Sequence, residues 1–379
     1  MIISFNRPYA TGNELAHVAA AAAGGHWAGD GPFTAKCRAW LEARTGTRMA
    51  LLTHSCTAAL EMAAILADLK PGDEVIMPSY SFPSTANAVV LRGATPVFVD
   101  IRPDTLNIDE ARIEPAITAQ TRAILVIHYA GVACEMDAIM AIARRHGLLV
   151  IEDAAHAVMA GCKGRPLGSI GHLGVLSFHA TKNLTAGEGG ALLVNEERFC
   201  RRAEIVRVMG TNRSQFLRGE VDKYTWVDQG SSCLPSELTA AFLWAQLEVA
   251  EEITRRRVRL WQAYHTGCAS LERDGILRRP VVPRHCQHNG HLYYLLLPNA
   301  RSREVFMARM KERGIGCAFH YQPLHNSPAG QRFGRCHGGL SVTEHVTDCL
   351  VRLPLWPGLE DHQQEVMGAL TDCLAGLAD

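Results

Sequence analysis

Leu148-Leu149-Val150-Ile151-Glu152-Asp153-Ala154-Ala155-His156 is an apolar run that stops on two carboxylates. A short continuous apolar stretch of this kind suits a strand buried on both faces, as in a parallel sheet covered by helices. Five more runs of the same type flank it: Glu74–Met77, Thr95–Asp100, Ala123–His128, Gly174–Phe178 and Gly190–Val194. Most begin about 20–28 residues apart, which leaves room for the crossover helix that parallel strands require. Only eleven residues separate Phe178 from Gly190, so that pair is expected to be antiparallel, one reversed strand in a mainly parallel sheet.

Amphipathic segments lie between the strands. Ser55–Leu69 is rich in Ala, Leu and Met and stops before Pro71-Gly72, and Asp137–Gly147 closes on Arg144-Arg145-His146-Gly147; both obey helix stop rules. Ser236–Trp261 carries one long helical pattern and is expected to link two domains. Beyond it come strand-like Gly290–Leu297, helix-like Arg303–Gly314, strand-like Ile315–Tyr321 and a closing helix from Asp361. The fold class is therefore α/β, with a large domain over residues 1–250 and a small α+β domain over 251–379. A chain of 379 residues exceeds the ~250–300 at which one core stops growing.

Charge is balanced, with 38 Lys plus Arg against 38 Asp plus Glu, so no global field recruits nucleic acid or anionic lipid. The start, MIISFNRPYA, lacks the pattern of a secretory signal, and no window approaches ~18 unbroken apolar residues. A cytoplasmic protein with no membrane partner is expected. The 12 cysteines are dispersed with no C-x-x-C pair, which favours reduced thiols over a disulfide framework.

In open parallel sheets ligands bind beyond the carboxyl ends of the strands. Thr53-His54-Ser55-Cys56-Thr57-Ala58 places hydroxyls and small residues at a helix start, suited to a phosphate or to simple capping. Asp153 ends a nearly buried strand and needs a cationic partner, either an arginine or a protonated pyridine nitrogen. Gly174-Val175-Leu176-Ser177-Phe178-His179-Ala180-Thr181-Lys182-Asn183 carries a lysine off another strand to the same sheet edge. Such a lysine is either a solvated loop residue or one able to form a Schiff base with an aldehyde cofactor. Phe82, in Pro78-Ser79-Tyr80-Ser81-Phe82-Pro83, follows a strand where a ring stacks on a flat cofactor; Tyr80 competes for that place, and core packing is the alternative for both.

The chain order phosphate turn, aromatic, aspartate, lysine resembles that of the DegT/DnrJ/StrS sugar aminotransferases. The likeness runs over nearly the whole chain, through Gly29-Asp30-Gly31, Pro71-Gly72-Asp73-Glu74-Val75-Ile76, Leu91-Arg92-Gly93-Ala94, His128-Tyr129-Ala130-Gly131, Glu152 to His156, Ser177-Phe178-His179 with Lys182-Asn183, and His320-Tyr321-Gln322-Pro323-Leu324-His325. Within the family, Thr211 to Phe216 and Asp222 to Trp226 look most like the transaminases that make dTDP-4-amino-4,6-dideoxygalactose. The resemblance implies a fold type I enzyme using pyridoxal 5′-phosphate, with pyridoxamine 5′-phosphate as intermediate. It implies Lys182 as the lysine of the internal aldimine and the acid–base, and Asp153 on the pyridine nitrogen. Phe82 and His156 would flank the cofactor, and Ser55, Cys56, Thr57 and Ser177 would hold its phosphate. Asn183, His320 and Tyr321, with Arg213 as a phosphate contact, would face the nucleotide sugar. L-Glutamate and a dTDP-keto-sugar are the implied substrates, and a homodimer with a composite active site the implied assembly. The family's cross-subunit phosphate contact does not carry over, because that stretch here reads Gly230-Ser231-Ser232-Cys233-Leu234-Pro235-Ser236.

A dehydratase of the same superfamily replaces the lysine with histidine, whereas Lys182 is present; a cofactor-binding regulator would carry an added basic domain, and the charge is balanced. A metal enzyme finds no standard zinc spacing in Cys317, His320 and His325 or in Cys336 and His337, so no metal is expected.

Overall fold

The computed structural model describes residues 2–375. Its centre is an eight-stranded sheet in the spatial order Met49–Thr53, Gly190–Val194, Leu173–Ser177, Leu149–Asp153, Thr121–Ile127, Glu74–Pro78, Thr95–Val99 and Arg335–Cys336. The six expected strands are all present, within one or two residues of their expected ends. Gly190–Val194 runs antiparallel to both its neighbours, and the other pairs are parallel.

Side chains alternate between two cores, as the pleat requires. On the strand Leu149–Asp153, Val150 joins Ile76, Val97, Ile124 and Val126 on one face, while Ile151 joins Met77, Leu125 and Val175 on the other. The helix Cys56–Leu66 covers the second face through Ala59, Met62, Ala63 and Leu66, its alanines allowing close approach to the sheet. The helix Met136–His146 covers the first through Met136, Ile139, Ile142 and Ala143, and ends on Gly147 at φ 64°, a left-handed cap that glycine adopts without penalty.

Three elements depart from the sequence expectation. Met49–Thr53 is a strand although Met, Ala and Leu favour helices; full-length pairing with Gly190–Val194 overrides that weak preference. The single helix expected over Ser236–Trp261 is two, Glu237–Glu248 and Ala250–Gly267, separated at Val249 with φ −120° and ψ 20°. The break lets the chain leave the core holding Ala240, Leu243 and Leu247 and enter another holding Leu260, Trp261 and Tyr264. Ile315–Tyr321 is not a strand: it makes only single bridges, Ile315 to Ile3 and Ala318 to Arg352. The small sheet is instead Tyr293–Leu296 antiparallel to Leu350–Leu353, and Ile3 shares its core.

Candidate active site

The carboxyl ends of the strands open into a cavity of about 440 Å³, closed on its far side by the small sheet. The pleat separates the two carboxylates of the deciding run, because adjacent residues on a strand face opposite sides. Asp153 lines the cavity. Its oxygens accept from Thr85 Oγ1 at 2.8 Å and from Ala155 N at 3.1 Å, yet among the described residues it has no ion-pair partner within 4.0 Å. Burial pushes its carboxyl up, against the two hydrogen bonds and the nearby Lys182 charge.

Glu152 turns the other way and does structural work. Fully buried, it meets His128 Nε2 at 2.8 Å and accepts from the amides of Gly168 at 3.0 Å and Ile170 at 2.7 Å, with Gly171 also donating. Burial raises its carboxyl, but the His128 contact and the backbone donors outweigh it and hold the group below its ordinary value. A depressed folded pKa gives stability that is present above the unfolded value and lost as pH falls through the folded one. Glu152→Gln should therefore be less stable than the wild type near neutrality by about 3 kcal/mol, with the gap narrowing in acid. Denaturant unfolding across that pH range tests this, and a gap independent of pH would refute it.

Lys182 sits in the turn after Leu173–Ser177, its amide donating to His179 O at 2.9 Å and its side chain reaching the cavity. Loss of water pulls its ammonium below the ordinary value of 10.5, with Cys56 and Asp153 pulling the other way. Ser55, Cys56 and Thr57 line the same cavity. Ser55 caps its helix by accepting from Ala58 N at 3.1 Å, and the first-turn amides beyond it have no acceptor within the helix. A Cβ at Gly190 would lie 2.4 Å from Cys56 N, so only glycine lets the reversed strand pass beneath this turn. Ser177 ends its strand at the same cavity.

Phe82 lines the cavity at its mouth, 59% exposed, just before the helix Pro83–Val90. Tyr80 is instead buried, its ring 5.2 Å from Tyr129 and 5.4 Å from Tyr321, so it belongs to the core beside the cavity. His156 is buried and stacked on His291 at 4.2 Å, with Tyr321 Oη 3.2 Å from its Nε2. Burial lowers the pKa of His156 well below its ordinary value, so its ring faces the cavity uncharged. His320, whose Nδ1 is 3.1 Å from Tyr129 Oη, and Tyr321 complete that side.

Two residues assigned to the substrate side do not line the cavity. Asn183 is buried behind it, donating to Asn289 O at 2.9 Å and meeting His291 Nδ1 at 2.8 Å, which holds the His291 ring in place. Arg213 opens the short helix Arg213–Leu217 on an exposed segment away from the cavity.

Sequence reasoning missed His291, Arg257 and Arg352, which all line the cavity. Arg257 is buried and donates to Gly290 O at 3.1 Å and His291 O at 2.6 Å; Arg352 donates to Phe319 O at 2.9 Å and leaves its buried Nε without a partner. Burial lowers both guanidinium groups, and neither has a carboxylate partner among the described residues. No local signal marks them, since Arg257 reaches the cavity from a distant helix, Arg352 from a distant strand and His291 from the loop before Tyr293–Leu296.

The family model for DegT/DnrJ/EryC1/StrS aminotransferases matches residues 8–371. The chain belongs to that family. It is accordingly an aminotransferase of a sugar aminotransferase family whose members depend on pyridoxal 5′-phosphate. Among relatives of this family member, the spore coat polysaccharide biosynthesis protein SpsC of Bacillus subtilis is 34% identical over 359 residues, 92% of each chain. An uncharacterised protein of Methanocaldococcus jannaschii is 36% identical over 342 residues, 88% of each chain. The crystal structure of the aminotransferase TlmJ from Streptoalloteichus hindustanus superposes with a TM-score of 0.91 at 30% identity, covering 100% of both chains. The family fold is the mainly parallel sheet with one antiparallel strand described above.

Proposed function

We propose that this aminotransferase moves the amino group of L-glutamate to C4 of dTDP-4-dehydro-6-deoxy-D-glucose, giving dTDP-4-amino-4,6-dideoxy-D-galactose. The observation that carries the reading is Asp153, a buried carboxylate with no ion-pair partner among the described residues, sharing one cavity with the amine of Lys182. An unpaired buried carboxylate is stable as an anion only beside positive charge, which suits a protonated pyridine nitrogen. The residues therefore fit pyridoxal 5′-phosphate, which when bound supplies an aldehyde that condenses with amines and a ring that withdraws electrons.

In this reading the roles divide among the cavity residues, with Lys182 carrying two. Asp153 keeps the ring nitrogen cationic, and Thr85 and Ala155 hold the carboxylate in place. Lys182 would hold the aldehyde, and its Nζ, whose pKa burial already lowers, would serve as the group that holds and moves a proton at the substrate carbon. The first-turn amides after Ser55, with the Thr57 and Ser177 hydroxyls, bind the phosphate. Uncharged His156 and Phe82 flank the ring without competing for the Asp153 charge. His320 and Tyr321 face the sugar, Asn183 supports that wall through His291, and Arg257 and Arg352 supply positive charge for the carboxylates of glutamate or the diphosphate. Transfer proceeds in two half-reactions, 2-oxoglutarate leaving before the keto sugar binds.

A homodimer with a composite site, a cytoplasmic location and a division of the chain near residue 250 belong to the same proposal. The exposed rings of Tyr224 and Trp226, on the segment that carries Arg213, support a subunit contact there. Among the described residues no helix is long and apolar enough to cross a membrane.

Absorbance of the purified holoenzyme tests the reading. L-Glutamate should bleach the visible band of the bound cofactor, and dTDP-4-dehydro-6-deoxy-D-glucose should restore it, with the C4 configuration then read by NMR. Bleaching without return keeps the aminotransferase and excludes this sugar in favour of another nucleotide keto sugar. Failure to release 2-oxoglutarate favours a cofactor-binding regulator instead.

A further inference from the structure

Away from the active site, the tight hairpin Gly161–Pro166 pairs with a two-residue strand, Cys286–Gln287, into a small three-stranded sheet. Lys163 at φ 50° and Gly164 at φ 76° make the turn, both left-handed as two-residue hairpins demand. The register sets Cys162 directly opposite Cys286, and the Lys163 amide donates to His285 O at 2.9 Å. The pairing therefore brings the Cys162 thiol to the adjacent imidazole and thiol of His285 and Cys286, more than a hundred residues further along the chain. One ligand atom from each of Cys162, His285 and Cys286 lies within 4.8 Å of the other two.

We propose that Cys162, Cys286 and His285 form a binding site for a thiophilic divalent cation, zinc above all, that ties the hairpin to the strand. Zinc bonds of about 2.3 Å to sulfur and about 2.0 Å to nitrogen place tetrahedral ligands about 3.3–3.8 Å apart. The observed spacing needs only rotamer-scale adjustment to reach this. Two thiolates and a neutral imidazole are a zinc-type donor set, and harder cations such as magnesium prefer oxygen. Glu135 Oε1 lies 3.6 Å from His285 Nε2, where a carboxylate orients a ligating ring. The neighbouring cations do not oppose the metal: Lys163 and Arg165 are both held by Asp137, at 2.6 and 2.5 Å. Cys162 is buried and Cys286 and His285 lie nearer the surface, so an ion has a way in.

The site is structural in its placement. From Cys286 the chain runs to Asn289, which donates to His156 O at 2.8 Å and Val158 O at 2.7 Å, and then to His291 on the cavity wall. A metal bridging Cys162 and Cys286 fixes the strap that carries that wall to the large sheet. The donor set also differs from the metal spacings considered in the sequence, because no stretch of chain contains it.

The test uses reduced holoenzyme stripped with a chelator and then titrated with zinc, or with cobalt for its ligand-field absorption in the red, clear of the cofactor band. The wild type should retain about one equivalent of zinc, give the intense absorption of tetrahedral cobalt–thiolate, and unfold at a higher temperature with metal. Cys286→Ala and His285→Ala should each weaken binding by about tenfold or more, while Cys336→Ala, at a distant exposed thiol, should leave it unchanged. Zinc lost on gel filtration overturns the site, as does zinc retained equally by all variants. A Cys162–Cys286 disulfide that persists in the reducing buffer and excludes metal also overturns it.

Discussion

Lys182→Ala should bind pyridoxal 5′-phosphate without the absorbance of the wild-type holoenzyme and lose multiple turnover, by at least about a thousandfold. Two functions leave with one side chain: the amine that holds the aldehyde, and the base that moves the proton at the substrate carbon. The fold should survive, because Lys182 has no ion pair to break among the described residues and its removal relieves a desolvated charge. Lys182→Arg sharpens the test, since it keeps the charge but its guanidinium stays protonated and is a poor nucleophile. Both variants should fail alike. Capture of the cofactor by cofactor-free wild type should accelerate as pH rises, through a midpoint below the ordinary lysine value of 10.5. Wild-type turnover in Lys182→Ala would remove the lysine from the mechanism.

Asp153→Asn should keep the bound cofactor and lower kcat on the order of a hundredfold to a thousandfold. The amide is nearly isosteric and can still accept from Thr85, so the wall of the cavity persists while the negative charge disappears. Without that charge the ring nitrogen loses its reason to stay protonated, and electron withdrawal from the substrate carbon weakens. The effect should fall on kcat more than on KM for either substrate, because Asp153 lies against the cofactor's place. Turnover within about threefold of wild type would mean that the buried carboxylate is only a strand-end hydrogen-bond acceptor, a role worth about 1 kcal/mol.

Local pattern carried much of the molecule. The run Leu148 to Asp153 reads as a doubly buried strand because every apolar position finds a core on its own side, Val150 on one face and Ile151 on the other. The eleven-residue connection before Gly190 dictates an antiparallel return, since it is too short for a crossover. The residues proposed for the cofactor all line one cavity, and they were legible as neighbours because they sit at strand ends, at a helix start or in the turns that follow the strands, where sequence position largely fixes spatial position. Met49–Thr53 was hidden because its composition favours a helix and only pairing with Gly190–Val194 makes it a strand.

What the sequence determined by itself was therefore the alternation of strand and helix, the reversed strand, and the set of residues at the sheet's carboxyl edge. Tertiary structure alone decided the split at Val249, the separation of Glu152 from Asp153 into structural and cavity-facing carboxylates, and the withdrawal of Asn183 behind the wall. It also decided the arrival of Arg257 and Arg352 at the cavity and the meeting of Cys162 with His285 and Cys286. The physical reason is range. Propensity, capping and periodicity act over a few neighbouring residues, whereas a buried charge or a ligand set is completed by groups that meet only after the chain has closed on itself.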